Sequence, residues 1–219
     1  YDTENDVRCE AVRRITDQDF LKQKALNDVS AVRREAVKKI EDQEFLEQRA
    51  LNDPVFFVRA EALQRVENEE FLKKVALDDD NSIRCKAIKK IEDQEFLKQR
   101  ALDDDPSVRC EAIKKIGDQE FLKQRALDDD NSDTRYEAIK KIEDQEFLYE
   151  RALHAETLAE RIAAISRIEN EEILIEVATE SHDELVAIEA IKKLPKERIK
   201  EIKSEKWYIK AICEDILSQ

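Results

Sequence analysis

The chain has 219 residues, 42% of them charged, and carries a formal net charge of −14 at pH 7. With one glycine and three prolines, it lacks the turn residues of β-sandwiches and barrels and the glycine-rich loops that cradle phosphates. Such an acidic chain is disfavoured as a partner of nucleic acid or of an anionic membrane surface, since both are bound through Lys and Arg. The apolar runs are too short to span a bilayer, and no signal-peptide region is present.

One motif of 25 or 26 residues recurs along the chain, and a period of this size is typical of stacked-repeat architectures. Positions within each repeat are numbered from Ile83, which is position 1 of the clearest copy. In chain order the repeats begin at Val7, Val32, Val58, Ile83, Val108, Thr134, Glu160 and Val186, and a half-repeat begins at Ala211. We therefore expect a single domain over residues 1–219, with about eight repeats and a C-terminal cap from about residue 195.

Each repeat is predicted to form two short helices. Apolar residues at positions 1, 5, 6 and 9 form one stripe with a helical period, and positions 14, 15 and 19 form a second stripe. Since helices of about ten residues are marginal alone in water, the repeats must hold one another by packing. The phenylalanines of position 14 are predicted core residues: Phe20, Phe45, Phe71, Phe96, Phe121 and Phe147.

Polar residues mark where the predicted helices begin. Position 11 is suited to cap the second helix, and it holds Asp17, Asp42, Asn68, Asp93, Asp118, Asp144 and Asn170. First helices have a start signal in Asp105-Pro106 and in Asp53-Pro54, with Asp as N-cap and Pro as the first helical residue. Gly117, the only glycine, replaces the usual Glu between two helices, where a left-handed corner would favour it.

The four cysteines, Cys9, Cys85, Cys110 and Cys213, all occupy position 3 of their repeats. Because stacked helices lie about 8–10 Å apart, equivalent cysteines of adjacent repeats are too distant for a disulfide. We interpret them as small packing residues rather than metal ligands. Unpaired thiols predict a reducing compartment, so we expect a cytoplasmic protein.

Charged residues also recur in columns. Position 2 is arginine in seven repeats, and we predict that these arginines pair with the Asp-rich loops between repeats: Arg8, Arg33, Arg59, Arg84, Arg109, Arg135 and Arg161. Positions 4 and 8 predict favourable i,i+4 pairs, namely Glu10/Arg14, Glu35/Lys39, Glu61/Arg65, Glu111/Lys115, Glu137/Lys141 and Glu189/Lys193. The acidic runs 78–80, 103–105 and 128–130 fit N-caps and arginine partners better than a ridge for cations or for a basic partner, and they lack EF-hand spacing. His154 and His182 have no ligand spacing, so we expect no metal.

The repeat pattern Asp-x-Pro/Asn-Ser-Val-Arg-x-Glu-Ala-Ile-Lys-Lys-Ile-x-Asp, followed by spaced Leu and Ala-Leu, resembles the HEAT-like repeat. The likeness is strongest to the short form in leucine-rich-repeat variants and phycobilisome-lyase-type proteins. It implies an all-α, right-handed superhelical α–α solenoid that serves as a binding scaffold. In leucine-rich-repeat variants the second helix is 3₁₀, but the strong helix formers of DQEFLKQRAL predict an α-helix here.

HEAT-like relatives that catalyse reactions or bind cofactors differ from this sequence at the residues that perform those functions. Deoxyhypusine hydroxylase relatives use repeated His-Glu pairs for iron, and no His-Glu pair occurs here. Iron–sulfur leucine-rich-repeat variants carry an N-terminal cysteine cluster, whereas these cysteines are scattered singly. DNA-glycosylase relatives present a basic groove, which the acidity of this chain argues against. We therefore expect a chain that is not an enzyme and holds no cofactor.

The candidate partner-binding residues lie where repeats depart from the pattern. In HEAT-like stacks the second helices line the concave face, where positions 13, 16 and 17 are exposed. Position 16, usually charged, becomes Tyr149 and Ile175, which predicts either a partner contact or packing of divergent C-terminal repeats. Gln99 and Gln124 occupy position 17 of the two most regular repeats, on the same face.

Two aromatic pairs also stand out. Phe56 and Phe57 are either an exposed hot spot in a loop or the start of an extended first helix with one ring turned inward. Trp207 and Tyr208 are expected to seal the last core layer, in a segment polar enough for a terminal repeat.

We expect a monomeric, non-catalytic scaffold that binds a protein or peptide, not nucleic acid or membrane. One alternative is a HEAT-like enzyme subunit or a cofactor lyase or chaperone. Another is a structural spacer or consensus-like repeat array without a dedicated ligand. Because the chain begins at Tyr1 rather than at Met, we also expect a fragment or processed chain.

Overall fold

The computed structural model describes residues 3–218, a range that leaves out Tyr1, and within that range every regular element is a helix. In chain order the helices are α1 (Thr3–Arg14), α2 (Gln18–Asn27), α3 (Ser30–Val37), α4 (Gln43–Asn52), α5 (Phe56–Arg65), α6 (Glu69–Val75), α7 (Asn81–Ile88), α8 (Gln94–Arg100), α9 (Pro106–Ile113), α10 (Gln119–Asp128), α11 (Ser132–Ile139), α12 (Gln145–His154), α13 (Leu158–Arg167), α14 (Glu171–Glu180), α15 (Glu184–Lys193), α16 (Lys196–Ile199) and α17 (Trp207–Ser218). The predicted all-α fold is confirmed, and the second helices are α-helical.

The chain divides into two compact units, the first ending at Leu97 and the second beginning at Lys98. In the first unit, α2 packs on α3, α4 on α5 and α6 on α7, while the first helices α1, α3, α5 and α7 pack in sequence. In the second unit, α10, α12 and α14 each pack on the helix that follows, and α9, α11, α13, α15 and α17 pack in sequence. Stacking of neighbouring repeats is therefore confirmed within each unit, whereas a single domain over residues 1–219 stays a prediction.

The core of each repeat is the pair of predicted apolar stripes. In the repeat that begins at Val108, positions 1, 5, 6 and 9 are all fully buried, as are Leu122 at position 15 and Ala126 at position 19. Burying a Val, Leu or Ile side chain contributes roughly 1.5–3 kcal/mol, so these stripes supply the stability that the short helices lack.

The prediction that position 14 belongs to the core is wrong for most of its phenylalanines. Phe71 is buried, but Phe20 is exposed and the others are half-buried. Position 14 lies at the edge of the stripe, and the arginine one turn later lies over the ring. The guanidinium carbons of Arg49 and Arg151 lie 5.8 Å from the ring centroids of Phe45 and Phe147.

Predicted helix starts are largely confirmed. The position 11 side chains accept hydrogen bonds from the first turn of the second helix, at Asp17, Asp42, Asn68, Asp93, Asp118, Asp144 and Asn170. Asp105 caps α9 and Pro106 opens it. Asp53 is not an N-cap, because Val55 takes that place and the buried Asp53 carboxylate binds Arg33 instead. Gly117 does not adopt positive φ, so the predicted left-handed corner is wrong.

The arginines of position 2 form the predicted ladder with acidic loops. Arg109 donates to the carbonyl oxygen of Asp103 at 3.0 Å, before its own helix, and to the carboxylates of Asp129 at 2.9 Å and Asp130 at 2.5 Å, in the next loop. These acceptors offset the unfavourable placement of a cation near a helix N-terminus. The corresponding ion pairs are Arg8–Asp28, Arg33–Asp53, Arg59–Asp80, Arg135–Glu160 and Arg161–Asp183.

The i,i+4 pairs between positions 4 and 8 are mostly wrong. Glu10–Arg14 forms at 3.1 Å, but Glu35, Glu61, Glu137 and Glu189 pair with other bases. The lysine at position 8 instead contacts the repeat before it, at the C-terminus of the first helix, where backbone carbonyl groups have no partner within the helix. Lys39 donates to the carbonyl oxygen of Arg13 at 2.6 Å, and Lys193 to that of Ile168 at 2.7 Å. Burial lowers the pKa of Lys90, Lys141 and Lys193 below the ordinary lysine value.

None of the four cysteines, all within residues 3–218, forms a disulfide, as predicted. Cys9 is buried and the other three are half-buried, so position 3 lies at the border of the core. Burial raises the pKa of Cys9, Cys110 and Cys213. Trp207 does not seal the last layer: its side chain is 71% exposed, because Ile209 fills the core position of α17. No helix within residues 3–218 has the length and apolarity required to cross a membrane.

Candidate partner-binding surface

The second helices expose one face that carries large apolar side chains. Positions 13, 17 and 20 recur on this face because residues three or four apart are neighbours on a helix. Position 20 is a leucine that follows the buried alanine of position 19, at the end of the second helix or, for Leu77 and Leu102, in the turn just after it. These leucines are about half exposed. We call Leu26, Leu51 and Leu77 the leucine row of the first unit, and Leu102 and Leu127 that of the second. Leu102 lies in the turn that follows α8, and the recurrence of leucine at position 20 was the available signal for this row.

In the regular repeats, the position 16 lysine of this face is already occupied. Lys98 and Lys123 donate to the cap aspartates of the following repeats, Asp118 at 2.8 Å and Asp144 at 2.7 Å. In the first unit, Lys22 and Lys73 make the same contact with Asp42 and Asp93. Each lysine lowers the pKa of the carboxyl group that it contacts, at Asp42, Asp93, Asp118 and Asp144. This column therefore links repeats and is not free for a partner.

Tyr149 takes position 16 in the repeat that begins at Thr134 and makes a different contact. The following cap is Asn170, which has no carboxylate for a lysine to meet. The Tyr149 hydroxyl instead donates to Oε2 of Glu180 at 2.7 Å. Hydrogen bonding to this carboxylate, with burial and nearby glutamates, raises the pKa of Tyr149 to about 12.

A cleft of about 430 Å³ opens beside Tyr149. Residues of two successive repeats line it: Tyr149, Glu150, Leu153, His154, Arg161, Glu180, Ser181, His182 and Asp183. We call it the Tyr149 cleft. Its histidines are the only two of the chain, and both line the cleft although they have no ligand spacing in the sequence. No group of three or more metal-ligating side chains occurs within residues 3–218.

The other predicted contact residues lie in different places. Gln99 and Gln124 are exposed, one turn before Leu102 and Leu127 on the leucine row of the second unit. Ile175 is half-buried on α14, the helix that carries Glu180. These residues and Tyr149 thus belong to one unit.

Phe56 and Phe57 belong to the first unit and open α5 rather than standing in a loop. Their rings meet edge to face with centroids 5.5 Å apart. Phe56 is half-buried beneath Arg59, and Phe57 is 65% exposed. This pair therefore belongs to a first helix of the first unit, whereas the leucine rows belong to the second helices.

Sequence analysis missed a ladder of side-chain amides at position 12. The Gln18 amide nitrogen donates to the carbonyl oxygen of Lys39 at 3.2 Å, and its oxygen accepts from the backbone N–H of Glu41 at 3.1 Å. Gln43, Gln119 and Gln145 repeat this double contact. Glutamine at a fixed position beside the N-cap was the available signal. The ladder joins repeats, so the position 12 amides are occupied, whereas Gln99 and Gln124 at position 17 are exposed.

Searches of family models and of curated proteins return no match for the chain. Among solved structures, it is similar to a leucine-rich repeat variant with a novel repetitive structural motif, with a TM-score of 0.71 and 21% identity over 90% of this chain and 80% of that one. It is also similar to YibA of Escherichia coli, with a TM-score of 0.53 and 17% identity over 96% of this chain and 95% of that one. These likenesses show a helical-repeat solenoid fold, in agreement with the predicted architecture.

Proposed function

We propose that this chain is a non-catalytic scaffold that binds a protein or peptide on the exposed face of its second helices. The observation that carries the proposal is the leucine row of the second unit. Leu102 and Leu127 are 59% and 50% exposed although leucine recurs at their position along the chain. Exposed apolar side chains gathered on one surface are typical of interaction sites. Helical-repeat solenoids commonly mediate protein binding, and they present extended surfaces for it.

Gln99, Gln124, Tyr149 and Ile175 belong to this proposed surface. The amides of Gln99 and Gln124 stand beside the leucines, where they can hydrogen-bond a bound main chain. Tyr149 combines an apolar ring with a hydroxyl group, a side chain suited to interfaces that are partly apolar and partly hydrated. Phe56 and Phe57 are a separate candidate contact in the first unit.

Affinity purification with quantitative mass spectrometry tests the proposal. We expect wild type to retain a stoichiometric protein partner, and Leu102→Ser with Leu127→Ser to retain about tenfold less, since apolar anchors carry much of the binding energy. Leu185→Ser is the matched control, because Leu185 is 54% exposed on a first helix of the same unit. Tyr149→Ala with Ile175→Ser should also weaken retention.

Three results would overturn the proposal. A wild-type chain that retains no partner would favour the structural spacer. A partner kept equally by every variant would place the binding surface elsewhere. A bound cofactor or metal in the purified protein, seen by absorbance or metal analysis, would favour the enzyme-subunit alternative.

A further inference from the structure

We infer that the leucine row of the second unit and the Tyr149 cleft form one site for a basic, extended peptide segment of the partner. This inference rests on the proposed function and adds the chemistry of the ligand. Leu153, the position 20 residue of the repeat with Tyr149, lines the cleft and connects it to Leu102 and Leu127. The site thus draws on four successive repeats, and its residues, from Leu102 to Glu180, all lie in the second unit.

The formal charge of the surface changes where the cleft begins. In the repeat that begins at Val108, positions 13, 16 and 17 are Glu120, Lys123 and Gln124, one acid and one base. In the next repeat the same positions are Glu146, Tyr149 and Glu150, two acids and no base. The lysine that balances the regular repeat is thus replaced by an aromatic ring, and the neutral amide by a carboxylate.

Two carboxylates of the cleft, Glu150 and Glu180, have weak or uncharged partners, whereas the third, Asp183, is paired with Arg161 at 3.1 Å. Among the described residues, Glu180 is bound by the Tyr149 hydroxyl, a neutral donor. The ion-pair partner of Glu150 is His154 at 3.9 Å, a group charged only when protonated. Glu176, the position 17 residue of the following repeat, is exposed and acts electrostatically on Tyr149 together with Glu150 and Glu180. A lysine or arginine of the partner would meet these charges and the face of the Tyr149 ring.

The leucine spacing indicates an extended ligand. Helices of neighbouring repeats lie about 8–10 Å apart, and one three-residue turn of an extended polyproline II chain spans about the same distance. Apolar side chains at every third ligand position would therefore meet successive leucines. The net charge of −14 opposes an acidic ligand and attracts a basic one.

A synthetic peptide supplies the test. The probe is a fluorescein-labelled peptide with leucine at every third position, lysine between the leucines and a terminal arginine, and its binding is measured by fluorescence anisotropy. Two control peptides replace lysine by glutamate or cluster the leucines at one end. We expect the probe to bind at least about tenfold more tightly than either control, and more weakly as salt rises, because salt screens exposed charges.

Protein variants locate the site. Glu150→Gln with Glu180→Gln should weaken the probe about tenfold, and Leu127→Ser about fivefold, as expected for losing paired charges or one apolar anchor. Leu51→Ser is the matched control, since Leu51 is 48% exposed at the same repeat position in the first unit. Leu51→Ser and Leu185→Ser should leave the affinity unchanged.

The inference would be overturned if the glutamate peptide bound as well as the probe, or if Leu51→Ser weakened the probe as much as Leu127→Ser. Sedimentation showing that a second copy of the chain occupies the Tyr149 cleft would also overturn it. If Leu102→Ser with Leu127→Ser released a cellular partner while Glu150→Gln with Glu180→Gln retained it, the proposed function would stand and this inference would fail. If neither variant released a partner, the proposed function itself would fail.

Discussion

The repeats that begin at Val108 and at Thr134 share a core and differ on their exposed face. Ile113 and Leu122 in one, and Ile139 and Leu148 in the other, are fully buried. On the face, one repeat has a lysine bound to the next cap, whereas the other has Tyr149 bound to Glu180 and an open cleft. The comparison shows that the apolar stripes and the polar ladders hold neighbouring repeats together. A change in one surface column can therefore open a cleft without altering the fold.

The largest expected effect concerns Glu160, a carboxylate at position 1, where most repeats have a buried Val or Ile. Glu160 is 1% exposed and is held by Arg135, whose nitrogens donate at 2.9 and 3.3 Å. Arg135→Ala should lower the free energy of unfolding by about 3–5 kcal/mol, because it leaves a buried charge unpaired. The measurement is urea unfolding followed by circular dichroism.

A double-mutant cycle controls this first prediction. Glu160→Val restores the apolar residue of the regular repeats, so Arg135→Ala with Glu160→Val should be more stable than Arg135→Ala alone. If the added Glu160→Val gave no recovery, the buried carboxylate would not be the source of the loss.

The next effect tests whether the two cores are equivalent. Leu122→Ala and Leu148→Ala should each lower the free energy of unfolding by about 3 kcal/mol, because each removes a fully buried side chain at position 15. Denaturant midpoints of the two variants, compared at equal slope, check this. A much smaller loss at Leu148 would mean that the divergent repeat does not stack like the regular one.

A smaller change in stability is expected when the ion pair between the position 16 lysine and the next cap aspartate is introduced at Tyr149. Tyr149→Lys with Asn170→Asp recreates the pair that Lys123 and Asp144 form. An exposed ion pair contributes at most about 1 kcal/mol, so the unfolding midpoint should hardly move. The variant also removes the Tyr149 ring that would face a ligand cation, so the basic peptide should bind more weakly, by up to about tenfold. Unchanged binding would separate the ligand site from the cleft, and anisotropy titration decides between the two.

Sequence reasoning succeeded where the determinant is local to one repeat. Caps at position 11 and the buried stripes follow from residue type and helical period alone. Sequence reasoning failed where a side chain can bind either its own helix or a neighbouring repeat. Lys39, for example, binds carbonyl groups of the repeat before it rather than Glu35. Periodicity likewise cannot separate the centre of a stripe from its edge, as at Phe45. The Tyr149 cleft joins residues about 30 positions apart, which only stacking brings together.

The smallest effect is the ionisation of Tyr149 itself. The Glu180 carboxylate favours the protonated phenol, so the folded pKa of about 12 lies above the ordinary tyrosine value of about 10. The stabilisation from this contact is fully present below the unfolded pKa and is lost as pH rises through the folded pKa. Ultraviolet difference titration of wild type against Tyr149→Phe isolates the Tyr149 transition among the four tyrosines.

Glu180→Gln should move this transition back toward the ordinary value, whereas Glu172→Gln, on the same helix but paired with Arg198, should leave it in place. A Tyr149 that ionised near its ordinary pKa in the wild type would show that its hydroxyl does not bind Glu180. The cleft would then differ from the regular repeats in charge alone.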